Sequence, residues 1–219
     1  MHPKIPPLIF ITGTDGAGKS SLSEWLVSNL RNRGLEVDLV WSRFNNFFSK
    51  PLLGLARLTH HNYYRTIDSV LFGFHNFRHL HGYRHLFALL QAIDVNLAVL
   101  RDIRIGRRRF DTLICERGPW DTLVDVIVDT GLDNLADPIL CRLFTIQVRN
   151  GSIVILINRS KNNILKSRPE LVHDRNLDRK IDLYSDLSQR YGWYIVDNNG
   201  SLATTKKQIC QIFENGVTE

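Results

Sequence analysis

The sequence predicts an α/β protein in which one parallel sheet carries helices on both faces. Short, almost wholly apolar runs recur along the chain, as expected of strands covered on both sides. Segments with helical apolar spacing separate them. The first apolar run passes straight into a glycine-rich octet that opens a helix.

The elements follow in order. Residues 7–12 (PLIFIT) stop at Gly13 and read as a first buried strand. Residues 18–34 put Leu22, Trp25, Leu26, Val27 and Leu30 at helical spacing, and Gly34 suits the helix end. Residues 35–41 (LEVDLVW) alternate and read as a second strand. Residues 44–87 differ, holding ten of the seventeen Phe and Tyr residues and six of the eight His. They read as several short helices ahead of a longer one at about 85–104. A third strand is expected at 112–116 (TLICE), with helices at about 119–129 and 134–149. Residues 152–158 (SIVILIN) form a fourth strand, and a basic stretch (159–175) leads to a helix at about 176–191. A fifth strand at 193–197 (WYIVD) and a helix at about 201–215 close the chain.

A chain of 219 residues fits one domain, 1–219, with a candidate aromatic and His-rich insertion at about 44–90. The composition, 43% hydrophobic and 23% charged, excludes disordered, collagen-like and low-complexity classes. The longest apolar runs, 8–11 and 153–157, fall far short of the ~20 residues a membrane span needs. The first residues lead directly into a strand and show no cleavage pattern, so the expected location is cytoplasmic, with no membrane. Cys115, Cys141 and Cys210 are too few and too scattered for a disulfide framework or a zinc site. A net charge of +6 suits nucleic acid, a membrane surface or small polyphosphates alike, and no nucleic-acid recognition motif is present.

Gly13-Thr14-Asp15-Gly16-Ala17-Gly18-Lys19-Ser20 fits G-x-x-x-x-G-K-[ST] in strand–loop–helix context. Glycines let the backbone approach phosphate oxygens closely. The loop N–H groups and the helix N-terminus then supply positive potential. Lys19 is the candidate charge for the β- and γ-phosphates, and Ser20 offers a hydroxyl to Mg²⁺, with Ser21 completing the set. The third strand ends in Glu116 and Arg117, at the strand end where ligands of parallel sheets gather. Glu116 is a candidate for holding Mg²⁺ through water, and Arg117 for pairing with phosphate.

GTDGAGKSS, then LICERG about a hundred residues on, then DRKIDLYSDLSQRYGWYIVDNN, together resemble the thymidylate kinase family. The family's lid-helix pattern R-x-x-x-Y-x-x-L reads here from Lys180 through Tyr184 to Leu187, with Arg179 just before it. The resemblance covers the chain in order, clearly at 8–43 and 110–200 and weakly at 44–105. It implies a three-layer P-loop kinase fold with strand order 2-3-1-4-5 and a short lid at about 158–176. It implies transfer of the ATP γ-phosphate to a nucleotide, dTMP first among acceptors, with ATP and Mg²⁺ as cofactors. Asp15 would then touch the acceptor's sugar or phosphate, Arg43 would clamp the acceptor phosphate, and Arg159 and Arg168 would be lid arginines. A homodimer is implied as well.

The chain also departs from the family. Glu116 stands where the family motif begins with Asp, and the Glu-Arg pair is similar to that of the deoxynucleoside kinases, with Gly118 where those carry Ser. Asp121, Val124, Asp125 and Val126 replace the S-x-x-A-Y-Q residues that help read thymine, and no arginine stands on the helix near residue 95. Asp121, Asp125 and Asp129 share one helix face and are candidates for acceptor hydroxyls, or else a solvated acidic stripe. His75, His79, His81 and His85 and the aromatics around them read as packing rather than a metal site. Arg104, Arg107, Arg108 and Arg109 read as a solvated helix end. Three functions stay open: a nucleoside-monophosphate kinase, a kinase of the same fold with another acceptor such as a deoxynucleoside, and a P-loop module that only binds nucleotide.

Overall fold

The computed structural model describes residues 5–41, 47–67, 70–75, 77–106, 109–148 and 151–215. Five strands form one open, all-parallel sheet: β1 (Leu8–Thr12), β2 (Val37–Trp41), β5 (Thr112–Glu116), β6 (Ser152–Asn158) and β7 (Tyr194–Asp197). A separate antiparallel hairpin is made of β3 (Asn62–Ile67) and β4 (Val70–His75). The sheet order is β2-β5-β1-β6-β7. Whole-chain labels therefore differ from the expected 2-3-1-4-5, because the hairpin falls between the sheet's second and third strands. Counted within the sheet alone, the order is second, third, first, fourth, fifth.

Every residue of β1 and β5 is buried, which explains the apolar runs Leu8–Ile11 and Leu113–Cys115, with polar residues only at the strand ends. Period-two alternation sends their side chains to two different cores. Leu8, Phe10, Leu113, Cys115, Val154 and Leu156 pack against α3 (His81–Gly106), α4 (Pro119–Thr130), α5 (Pro138–Thr145) and α7 (Leu177–Tyr191). Ile9, Ile11, Ile114, Ile155 and Ile157 pack against α1 (Lys19–Asn32) and α8 (Leu202–Asn215). Helices thus cover both faces. Cys115 is one of the core residues, and burial pushes its thiol from 9.0 up to about 12, the charge of Asp102 adding to the effect. All three cysteines are free. Among the described residues no helix is long and apolar enough to cross a membrane.

Two expectations are corrected. Among the described residues the aromatic stretch holds one short helix, α2 (Lys50–Leu58), then the β3–β4 hairpin, before α3 begins at His81. Tyr63, Tyr64, Thr66 and Ile67 are aromatic and β-branched, which fits a pleated strand better than a helix. The single helix expected at 134–149 is a 3₁₀ turn at Asp133–Ala136 followed by α5. Pro138 resets the chain there, because its fixed φ and missing N–H suit a first helical position and not a helix interior. The segment after β6 contains a short helix, α6 (Lys161–Ser167), and a 3₁₀ turn at Pro169–His173.

Register brings the candidate site together. Ile11 lies beside Glu116, Glu116 beside Trp41, Thr12 beside Leu156, and Asn158 beside Asp197. The carboxyl ends of all five strands therefore share one rim of the sheet.

Candidate phosphate-binding site

β1 passes at Thr12 into a loop, Gly13–Gly18, that feeds α1. Gly13 and Gly18 are required by both conformation and space. Their φ angles are +141° and +99°. A Cβ on Gly13 would lie 2.7 Å from the carbonyl oxygen of Ile157, and one on Gly18 would lie 2.5 Å from Asn198 Nδ2. Gly18 caps α1 with no side-chain hydrogen bond, and the first turn carries no acidic residue. The first turn of α1 thus contributes no carboxylate of its own, which leaves its N–H groups suited to an anion.

The Lys19 side chain folds back over this loop. Its ammonium donates to the carbonyl oxygens of Gly13 (2.5 Å) and Thr14 (2.8 Å) and lies 4.0 Å from Asp15 Oδ1. Only 4% of Lys19 is exposed. A buried ammonium held by neutral carbonyls and one carboxylate is a cation ready for a stronger anion.

The tip of β5 joins the loop at two points. Ser20 Oγ donates to Glu116 Oε1 at 2.6 Å, and the Arg117 guanidinium pairs with Asp15. Arg117 takes a left-handed φ of 59°, rare for a side-chain-bearing residue, and its N–H donates to the carbonyl of Ile11. Burial works against the charge on Arg117, but the carboxylates of Asp15 and Asp121 more than offset it, so its pKa is raised. Five residues singled out from sequence (Asp15, Lys19, Ser20, Glu116 and Arg117) thus converge on one loop.

The remaining candidates divide. Arg159 reaches the loop, donating to Gly16 O (3.0 Å) and Ser167 Oγ (3.2 Å). Arg168 lies beside Gly16 through its aliphatic stem, but its head pairs with Glu170. Ser21 is exposed on the first turn of α1, and Ala17 is buried in the loop. Arg43 lies outside the described residues, as do Arg107, Arg108 and the side chain of His75. Among the described residues, no group of three or more His, Cys, Asp or Glu is placed to hold a metal ion.

Asp121 is corrected. It is 3% exposed, and its Oδ2 accepts from Thr12 Oγ1 (2.9 Å) and the Gly118 N–H (3.2 Å), while Oδ1 accepts from the Tyr184 hydroxyl (2.9 Å). It is neither a solvated stripe residue nor free for an acceptor. It ties β1, the turn after Arg117 and α7 into one junction. Burial and the Asp121 carboxylate push the Tyr184 phenol well above its ordinary range. Asp125 stands 3.8 Å from the Lys180 ammonium, which lies 3.2 Å from Asp174. Burial alone would lower the Lys180 pKa, but those carboxylates hold it raised.

Three functional contributions escaped the sequence reading. Asn198, just past β7, donates from Nδ2 to Ala17 O (2.7 Å), and its Oδ1 accepts from Thr205 (3.0 Å). Its place beyond a strand's carboxyl end was the available signal. Thr12 supplies the hydroxyl that meets Asp121. Asp94, buried on α3, accepts from the N–H groups of Phe47, Phe48 and Ser49 and from Ser49 Oγ (2.6 Å). It anchors the chain at the start of α2, where the family resemblance implied an arginine. No protein-family model matches this chain, and no curated protein matches its sequence.

Proposed function

We propose that this chain is an ATP-dependent phosphotransferase with the architecture of the thymidylate kinase family, a single P-loop kinase domain over 1–219 with a short lid at about 158–176. The observation that carries this reading is the buried Lys19 ammonium lying over the loop backbone beside Asp15, in the loop that also makes the Ser20–Glu116 and Asp15–Arg117 contacts. ATP phosphates would lie in the loop of Gly13–Ser20, with Lys19 spanning the β- and γ-phosphates. Ser20 and Glu116 present a hydroxyl and a carboxylate side by side, the hard oxygen donors that suit Mg²⁺, which keeps its other positions for phosphate and water. When bound, the ion neutralises charge on the triphosphate.

An acceptor oxygen attacks the γ-phosphorus in line. The bond from γ-phosphorus to the β–γ bridging oxygen breaks, and ADP leaves with that electron pair. A phosphate acceptor is already an oxyanion, so no base is needed. Lys19, Arg117 and Arg159 contribute by position and charge, and Arg43 is proposed to clamp the acceptor. The acceptor is a nucleoside monophosphate, dTMP first, and the protein works in the cytoplasm. The partner is a second copy of the chain. Leu86, Leu89, Ile93 and Leu97 leave an apolar stripe exposed along α3, which a homodimer would cover.

One observation favours a second reading, a kinase of the same fold with another acceptor. Asp121 is consumed internally, and Asp125 faces Lys180, so the helix that would read thymine offers a different chemistry. ADP release with Mg·ATP against dTMP, dUMP, UMP, dCMP, thymidine and no acceptor tests both. Turnover with dTMP or dUMP supports the first reading, and turnover with thymidine alone moves the chain to the second. Silence throughout, with ATP still bound, leaves a nucleotide-binding module.

A further inference from the structure

A groove of about 770 Å³ opens beside the amino-terminal half of β6. That volume suits a small organic ligand. Ser152, on its wall, lies beside Leu8, whereas the phosphate loop begins after Thr12, roughly 13 Å further along the strand at the usual rise per residue. The groove is therefore distinct from the loop.

Its lining combines three kinds of chemistry. Trp120, Tyr191, Trp193 and Tyr194 make an aromatic wall. Trp120 packs at 4.9 Å from Tyr191 and 4.7 Å from Trp193, so the wall is a braced cluster, and Tyr194 is 41% exposed. Arg142 also lines the groove, is exposed, and makes no hydrogen bond or ion pair with another described residue. Finally, β7 pairs only with Ile155–Asn158 of β6, so Ile153 and Val154 line the groove on a flank that β7 leaves uncovered. A backbone edge there can meet a ligand that carries donors and acceptors on its own rim.

We infer that this groove binds a small anion that carries a planar heteroaromatic ring. The ring lies against the aromatic wall, its polar edge faces the uncovered backbone of β6, and its charge pairs with Arg142. Each part answers one feature of the lining: aromatic faces for the ring, an exposed guanidinium for the anion, and peptide groups for ring nitrogens and exocyclic substituents. The site does not depend on phosphoryl transfer. Trp120 on its wall immediately precedes Asp121.

Adenosine 5′-phosphate is the probe, measured by equilibrium dialysis and quenching of tryptophan emission, with adenosine and ribose 5-phosphate as controls. Wild type and Lys19→Ala are expected to bind it alike, more tightly than either control. Arg142→Glu is expected to weaken binding about ten-fold or more, in line with loss of a charge-assisted contact. Tyr194→Ala, at a partly exposed position, weakens it too. Circular dichroism confirms that the variants are folded. Absence of binding in wild type, loss of binding in Lys19→Ala, or binding unchanged in both Arg142→Glu and Tyr194→Ala overturns the inference. ADP release is assayed separately, so a failed kinase reading and a failed groove are told apart.

Discussion

Tyr184 and Asp121 are joined by a 2.9 Å hydrogen bond between two buried side chains on different helices. The same carboxylate accepts from Thr12, the last residue before the phosphate loop. Tyr184→Phe removes one donor and leaves a buried carboxylate oxygen unmet, which costs about 1–3 kcal/mol. Asp121→Ala strands three donors at once and is expected to cost more than Tyr184→Phe. Urea denaturation of both variants checks the ranking. If Asp121→Ala unfolds at the wild-type midpoint, the junction is not structural.

Lys19→Ala should leave the fold intact and reduce phosphoryl transfer at least about a hundred-fold, the scale seen when one charge-stabilising donor is lost. The measurement is single-turnover transfer beside the far-ultraviolet circular dichroism spectrum. Near-wild-type transfer in the folded variant would sink the kinase assignment.

Gly13 and Gly34 both have positive φ, but only Gly13 is crowded. A Cβ there meets the Ile157 carbonyl at 2.7 Å, whereas one on Gly34 meets nothing within 4 Å. Gly34→Ala should cost only the left-handed strain, about 1–2 kcal/mol. Gly13→Ala should cost more and should abolish ATP binding, because the backbone oxygen it strikes belongs to β6. Calorimetric titration with ATP compares the two. Equal ATP affinity in both would show that the loop tolerates displacement.

Alkali should destabilise the protein through its buried thiol. The folded-state pKa of Cys115 is raised from 9.0 to about 12, so between those values the native state holds a proton that the unfolded chain has lost. The stability from this group is complete below pH 9 and falls as pH rises towards 12, by about 1.4 kcal/mol per pH unit at most. Cys115→Ala should make the pH dependence in that window shallower. An unchanged slope would assign the loss to other groups such as Tyr184.

Leu89→Arg, on the exposed apolar stripe of α3, should convert a dimer to a monomer without loss of fold. Sedimentation velocity reads the outcome directly. A wild-type chain that sediments as a monomer at tens of micromolar removes the homodimer from the proposal.

Much of this architecture was legible in the sequence because parallel strands covered on both faces carry continuous apolar runs through their middles. LIFIT, TLICE and SIVILIN announce themselves for that reason. The hairpin is harder to read because NYYRTI and VLFGFH do not alternate; only their aromatic and β-branched content points to strands. At the site, Lys19 and Ser20 follow from local spacing, and Glu116 and Arg117 from their place at a strand tip. The role of Asp121 does not follow in that way. Helical spacing shows which face it occupies, but its partner Thr12 lies 109 positions away, and only the packed fold reveals that the carboxylate is already satisfied.

Asn198 closes the phosphate loop from 181 positions downstream of Ala17. The loop is translated first, and its brace follows only 181 positions later. A nascent chain that stops short of β7 carries the glycine-rich loop without the contact that shapes it. Nucleotide affinity should therefore arrive late, when β7 has docked against β6, and a chain stalled before residue 198 should bind ATP poorly with every motif residue in place. Nucleotide binding would then report that β7 has joined the sheet.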